Sequence, residues 1–215
     1  MADDVRANNK AGKRLRPGGK RWFPRRLLPY LRKRKAGVDE SSVKGKPKPL
    51  RLKALLKARG MLGVVERGGN NRGPEVEAII LANGGVIGEP WCGDAVAYWY
   101  RAAGSKVVTR SWAATRFLGR LGGMSSHGPR QGRPGDIIVF NFPGGHPDSD
   151  HTGLLVDYTN SDGHHRIGRT ATHVKTIDGN VGTALAASDS QLGGDGIGYK
   201  IRPISLVSRS VRVHR

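Results

Sequence analysis

The sequence predicts an α+β domain, with helices packed on an antiparallel sheet, behind a basic N-terminal arm. Three observations carry that reading. Apolar residues recur at helical spacing in the stretch after Leu50 and at strand spacing from Asp136 onward. Helices that come first, followed by consecutive strands, point to an antiparallel sheet rather than an alternating parallel one. Charge is uneven: residues 1–60 hold 20 Lys+Arg and 4 Asp+Glu, whereas residues 61–215 hold 17 and 13, so most of the net charge of +20 lies in the arm.

The arm has basic clusters at Lys13–Arg16, Lys20–Arg26 and Arg32–Lys35. Such blocks repel one another, resist collapse and act as interaction tails. Trp22, Phe23, Leu27, Leu28, Tyr30 and Leu31 make one short basic amphipathic segment within it. Ala36–Pro49 (AGVDESSVKGKPKP) has the composition of a linker. The boundary therefore falls at residue 49, with 1–49 as arm and linker and 50–215 as the folded domain. The arm is expected to bind a polyanion such as nucleic acid, chiefly by electrostatics and with steep salt dependence.

The rest of the composition excludes several classes. The 32 glycines and 12 prolines follow no G-X-Y period, which rules out a collagen-like rod. One cysteine excludes an intrachain disulfide framework. No apolar run approaches the roughly 18 residues of a membrane span, and MADDVRANNK lacks the apolar core of a signal peptide.

In chain order, Arg51–Leu62 places Leu52, Leu55 and Leu56 on one helical face. GGNNRG (Gly68–Gly73) ends that helix, and Pro74–Leu81 starts another with proline in its first turn. Gly84–Pro90 is a loop. Cys92–Ala103 is rich in small and aromatic residues and stops at Gly104, as a largely buried helix should. Ser111–Leu121 is a further short helix. Four β-rich runs follow: Asp136–Phe142, Thr152–Tyr158, Thr172–Ile177 and Gly198–Ile204, separated by turn residues.

Cys92 falls in the first turn of its helix, where unpaired N–H groups and the helix dipole favour a thiolate. His151 stands at the start of an apolar strand, placed to reach a helix N-terminus as a base. Asp178 and Asn180 lie two apart, on one face if the strand stays extended, and either would orient the imidazole. A lone cysteine is more often core filler and Asp-Gly-Asn is first a turn signal. The ordered set of helix cysteine, strand histidine and strand carboxylate or amide is what carries weight. His127 is the competing base, but no predicted strand follows it. His146, Asp148, Asp150 and His151 have metal-ligand chemistry, although polar loops often produce such clusters, and no metal is assigned. His164 and His165 read as a turn.

The segments GEPWCGDAVAYW (Gly88–Trp99), RPGDIIVF (Arg133–Phe140), HTGLLV (His151–Val156) and IDGN (Ile177–Asn180), with NNRGPE upstream, resemble the CHAP domain. This is the cysteine, histidine-dependent amidohydrolase/peptidase domain of the NlpC/P60 group. The resemblance spans about Leu52–Pro203, and it implies a papain-like fold and a peptidoglycan hydrolase of the phage-lysin type. It implies Cys92 as nucleophile, His151 as general base and Asp178 or Asn180 as the orienting group, with Asn180 slightly favoured. Trp91 is the expected wall of a substrate cleft, and Arg72 the expected partner of a substrate carboxylate. No cofactor is implied.

Three departures accompany the likeness. Asp150 rather than glycine precedes the histidine, Trp91 stands where some members carry glutamine, and the second oxyanion donor is unassigned. The implied reaction is attack of the Cys92 thiolate on a peptidoglycan amide, within the peptide or at its junction with the glycan. The expected location is a host cytoplasm before release, or a virion, with action on the cell wall. The arm would then meet nucleic acid or an anionic wall polymer. The competing reading is a virion or nucleic-acid-associated structural protein whose CHAP-like domain is inactive.

Overall fold

The computed structural model describes residues 48–108, 122–144, 151–166, 170–182 and 196–214. The arm to residue 47, the helix expected at Ser111–Leu121, the loop holding His146, Asp148 and Asp150, and Trp112 lie outside them.

Among the described residues, three helices come first. Helix α1 (Leu50–Arg59) starts after Pro49, whose carbonyl accepts the Leu52 and Lys53 amides at 2.9 and 3.2 Å. Its buried stripe is Ala54, Leu55 and Ala58, while Leu56 is 37% exposed, so the leucine face expected from spacing is only partly the packed one. Two alanines one turn apart let α1 lie close to α3, the helix against which it packs. Helix α2 (Pro74–Ala82) has Pro at its start and Glu75 and Glu77 in its first turn, where acidic side chains complement the dipole. At its end the buried Asn83 amide donates to Ile79 O at 2.8 Å and Asp94 O at 2.7 Å, tying α2 to α3. Helix α3 (Cys92–Ala102) is buried from Cys92 through Tyr100, as its small and aromatic residues foretell. No helix among the described residues is long and apolar enough to cross a membrane.

Six antiparallel strands follow among the described residues: β1 (Met124–His127), β2 (Ile137–Phe140), β3 (His151–Thr159), β4 (His173–Val181), β5 (Gly196–Pro203) and β6 (Val207–Val213). Their order is β1-β6-β2-β3-β4-β5. The α+β class is as the sequence predicts, but β1 and β6 lie outside the four expected strands. MSSH has no alternation to betray β1, and β6 continues a run that the sequence suggests ends near Ile204.

The strand order makes the sheet coil. β5 and β6 stand four places apart, about 19 Å in a flat sheet, yet only the turn Ile204–Leu206 joins them. Four residue steps span at most about 14 Å, so the sheet must curl to bring β5 toward β6. Two apolar clusters result. Ile137, Val139, Leu154, Ile177, Ile197 and Val211 meet the three helices, while Ile138, Phe140, Leu155, Val174, Ile204 and Val207 form a separate core on the other face.

Candidate active site

Pairing register assembles the site. Phe140 stands opposite His151 across β2–β3, and Gly153 stands opposite Asp178 across β3–β4. His151, Gly153 and Asp178 thus share one face of the sheet, since side chains two apart on a strand point the same way. His151 Nε2 lies 3.0 Å from Asp178 Oδ2, and both side chains are essentially inaccessible, at 1% and 0%. Glycine at 153 is a steric requirement, because a Cβ there would sit 1.8 Å from Asp178 Oδ1.

Gly179 plays the matching part for the helix. A Cβ at that position would meet Ala95 Cβ at 2.5 Å and Trp91 Cζ3 at 2.8 Å. Its absence lets the first turn of α3 lie directly on β4, which places Cys92 beside the histidine. With Nε2 committed to Asp178, Nδ1 is the ring nitrogen left for the thiol. Nδ1 has no hydrogen bond closed to standard geometry among the described residues, yet Cys92 acts on the ring both as hydrogen-bond partner and as charge. A loose nucleophile–base contact of this kind is usual before substrate tightens it.

The electrostatics follow from burial and partners. Burial is the largest influence on His151 and disfavours the imidazolium. The hydrogen bonds to Asp178 and Cys92 and the charges of both outweigh it, raising the pKa from 6.5 to about 9. For Asp178 burial again acts first, upward. The Arg202 charge and then the His151 hydrogen bond and charge overcome it, and the pKa falls to about 2. Because the His151 value is raised, its contribution to stability is complete below about pH 6.5 and is lost as pH climbs through about 9. Asp178 contributes above about pH 3.8 and loses its contribution as pH falls toward 2. The melting temperature of the wild type, relative to His151→Gln, should therefore decline between about pH 6.5 and 9 by calorimetry. Parallel melting curves across that window would contradict the paired state.

Asn180 does not share the face of Asp178 in the way an extended strand would provide. Pairing of β4 with β5 is irregular between Asp178 and Val181, and Asn180 adopts a left-handed backbone with φ of 59°. Its side chain is wholly buried, and neither amide atom is hydrogen-bonded among the described residues. The bulge breaks the two-residue alternation, so of the two candidates it is Asp178, not the slightly favoured Asn180, that meets the imidazole.

Two other candidate residues make contacts within the fold. Trp91 is not an open cleft wall: it is fully buried under Gly179, and its indole N–H donates to Glu66 Oε1 at 3.0 Å. Arg72 is half exposed and its guanidinium meets Glu77 at 3.5 Å, on α2 rather than at the histidine. Its neighbour Asn71 is the structural member of that segment, donating to Gly88 O at 3.1 Å and so anchoring the loop before Cys92. His127 ends a strand of its own, β1, three places from β3 in the sheet, and its Nε2 contacts Ser125 Oγ at 2.8 Å. Of the metal-type cluster only His151 is described, and its Nε2 is on Asp178. His165 pairs with Asp157 at 2.7 Å on an exposed turn.

Gly153, Gly179 and Arg202 are site residues beyond those expected from the sequence. A glycine inside an apolar strand signals close approach of another group, which would have flagged Gly153. Arg202 carried no such flag.

No protein-family model matches the chain, and no curated protein matches it. Among solved structures, the crystal structure of a wild-type endolysin, LysIME-EF1, is similar over 78% of the chain at 12% identity, with a TM-score of 0.45. The chain spans 65% of the length of that protein.

Proposed function

We propose that the protein is a cysteine-dependent peptidoglycan hydrolase, an amidase or endopeptidase of the CHAP type that cleaves cell-wall amide bonds. The observation that carries this reading is the buried imidazole of His151, bonded to Asp178 through Nε2, with the helix-start thiol of Cys92 acting on the same ring. That is the arrangement acyl transfer requires: nucleophile, base and orienter in series. The choice of peptidoglycan rests on the motif resemblance around Cys92, His151 and Asp178.

In this reaction the Cys92 thiolate attacks the amide carbonyl. Backbone N–H groups at the start of α3, that of Cys92 included, stabilise the oxyanion. His151 gives its proton to the departing amine, then takes one from the water that hydrolyses the thioester. Asp178 keeps the ring oriented and stabilises the imidazolium. The test is incubation of the whole protein with purified sacculi and mass spectrometry of what is released. New amino groups with intact glycan support the reading; intact sacculi under conditions where Cys92 is reduced would refute it.

The charge of residues 1–60 favours a second function alongside this one, attachment to a polyanion. A chain beginning at Pro49 should keep a cooperative melt and cleave small soluble muropeptides at the full-length rate. It should lose affinity for intact walls or for DNA, and the full-length protein should show the steeper salt dependence. Equal, salt-insensitive binding by both chains would remove that role from the arm. Strong preference for DNA would favour the virion or nucleic-acid-associated reading.

A further inference from the structure

Arg202 takes no part in the reaction above, yet it is among the most deeply buried large side chains, at 1% exposure. Its guanidinium is ion-paired with Asp178 through Oδ2, the same oxygen that lies 3.0 Å from His151 Nε2. Two aromatic rings hold it there: Arg202 Cζ is 4.9 Å from the centroid of Phe140 and 5.8 Å from that of Phe142. The same rings stack on each other at 6.0 Å with 6° between their planes. They also flank the imidazole, at 6.1 and 6.3 Å. One aromatic pair thus presents two cationic groups to a single carboxylate oxygen.

We propose that Arg202 is a positioning residue for the Cys92–His151 pair, sharing Asp178 Oδ2 with the imidazole and thereby limiting how tightly His151 holds its proton. The inference rests on the assignment of Cys92 and His151 as nucleophile and base. A carboxylate facing His151 alone would bind the imidazolium with its full charge. A fixed guanidinium on the same oxygen opposes that attraction at short range. The histidine must release a proton to the leaving amine and then accept one from water, which works best when its proton affinity is matched to the working pH. Among the described residues, the charged and titratable groups facing His151 are Cys92 from α3 and Asp178 from β4, with Arg202 of β5 behind Asp178. From β2 and its continuation come only the uncharged rings of Phe140 and Phe142. A guanidinium suits the role because it stays protonated and lies flat on aromatic faces, which a lysine ammonium cannot do.

The chain holds one cysteine, so iodoacetamide reports on Cys92 alone. The rate of alkylation against pH has an alkaline inflection where the imidazolium beside the thiolate loses its proton. In full-length Arg202→Gln that inflection should rise by about one pH unit, the scale of a single lost charge contact. On muropeptides at neutral pH, kcat should fall about tenfold with KM nearly unchanged. Arg202→Lys retains the buried charge pair and is the variant to rely on if Arg202→Gln does not fold. Its inflection should rise by a smaller step, and it should recover most of kcat. An inflection at or below the wild-type value in the folded variants would overturn the proposal. If wild-type protein cleaves no sacculi but the inflection still moves, the role of Arg202 stands and the wall-hydrolase reading falls.

Discussion

Cys92→Ala should remove sacculus hydrolysis, by more than about 10⁴-fold, while leaving the fold in place. Cys92 is 7% exposed at the first turn of α3, and the side chain it would leave is small and apolar. Losing one sulfur there should cost no more than about 1–2 kcal/mol, well within the stability of a domain with two apolar clusters. His151→Ala should be comparably inactive, and the double variant no worse than either single one, because nucleophile and base act as a unit. His127→Ala should behave as wild type, since that ring contacts Ser125 on an edge strand. The measurements are fragment release from sacculi and a thermal melt for each variant. Near wild-type hydrolysis by a well-folded Cys92→Ala would remove the centre of the functional assignment. Hydrolysis lost with His127→Ala but kept with His151→Ala would transfer the base to the other histidine.

Asp178→Asn is the second change with a large expected effect, and it acts on stability as well as on chemistry. The substitution keeps the shape but withdraws the charge that faces both His151 and Arg202. Removing one partner of a buried ion pair typically costs about 3–5 kcal/mol, because the other charge is left without compensation. Replacing the orienting carboxylate by an amide lowers kcat by about 10⁴ in hydrolases with a Ser-His-Asp triad. A loss on the order of 10²–10⁴ is expected here, with a lowered melting temperature. Asn180→Ala should do far less to the rate. It deletes two buried amide atoms that have no hydrogen-bond partner among the described residues but puts alanine in a left-handed conformation, which costs roughly 1–2 kcal/mol. Equal loss of kcat in Asp178→Asn and Asn180→Ala, both folded, would give Asn180 a part in catalysis that the hydrogen bonding of the ground state does not display.

Much of this molecule is legible in its sequence because local chemistry decides it. The helix beginning at Cys92 is announced by small and aromatic residues and a glycine stop, and it is buried as that pattern requires. The strand beginning at His151 is announced by an apolar run, and α2 by a proline followed by two glutamates. Cys92 and His151, with Asp178 or Asn180 as the third member, are recognisable as a set because the cysteine opens a helix, the histidine opens a strand and the polar pair follows the next β-rich run. What sequence could not supply is everything that depends on which strands become neighbours. Alternation predicts one shared face for Asp178 and Asn180, but the bulge in β4 separates them, and a bulge arises from pairing with β5 rather than from the residues of β4 alone. Trp91 beside the cysteine suggests a cleft wall, yet the bare Cα of Gly179 draws the indole into the core. Arg202 is the clearest case. In a chain of net charge +20, a basic residue within a strand reads as solvated surface. Only the coiling of the sheet, with β5 brought toward the aromatic pair at the end of β2 and just beyond it, gives a buried guanidinium both a carboxylate and two ring faces to repay its desolvation.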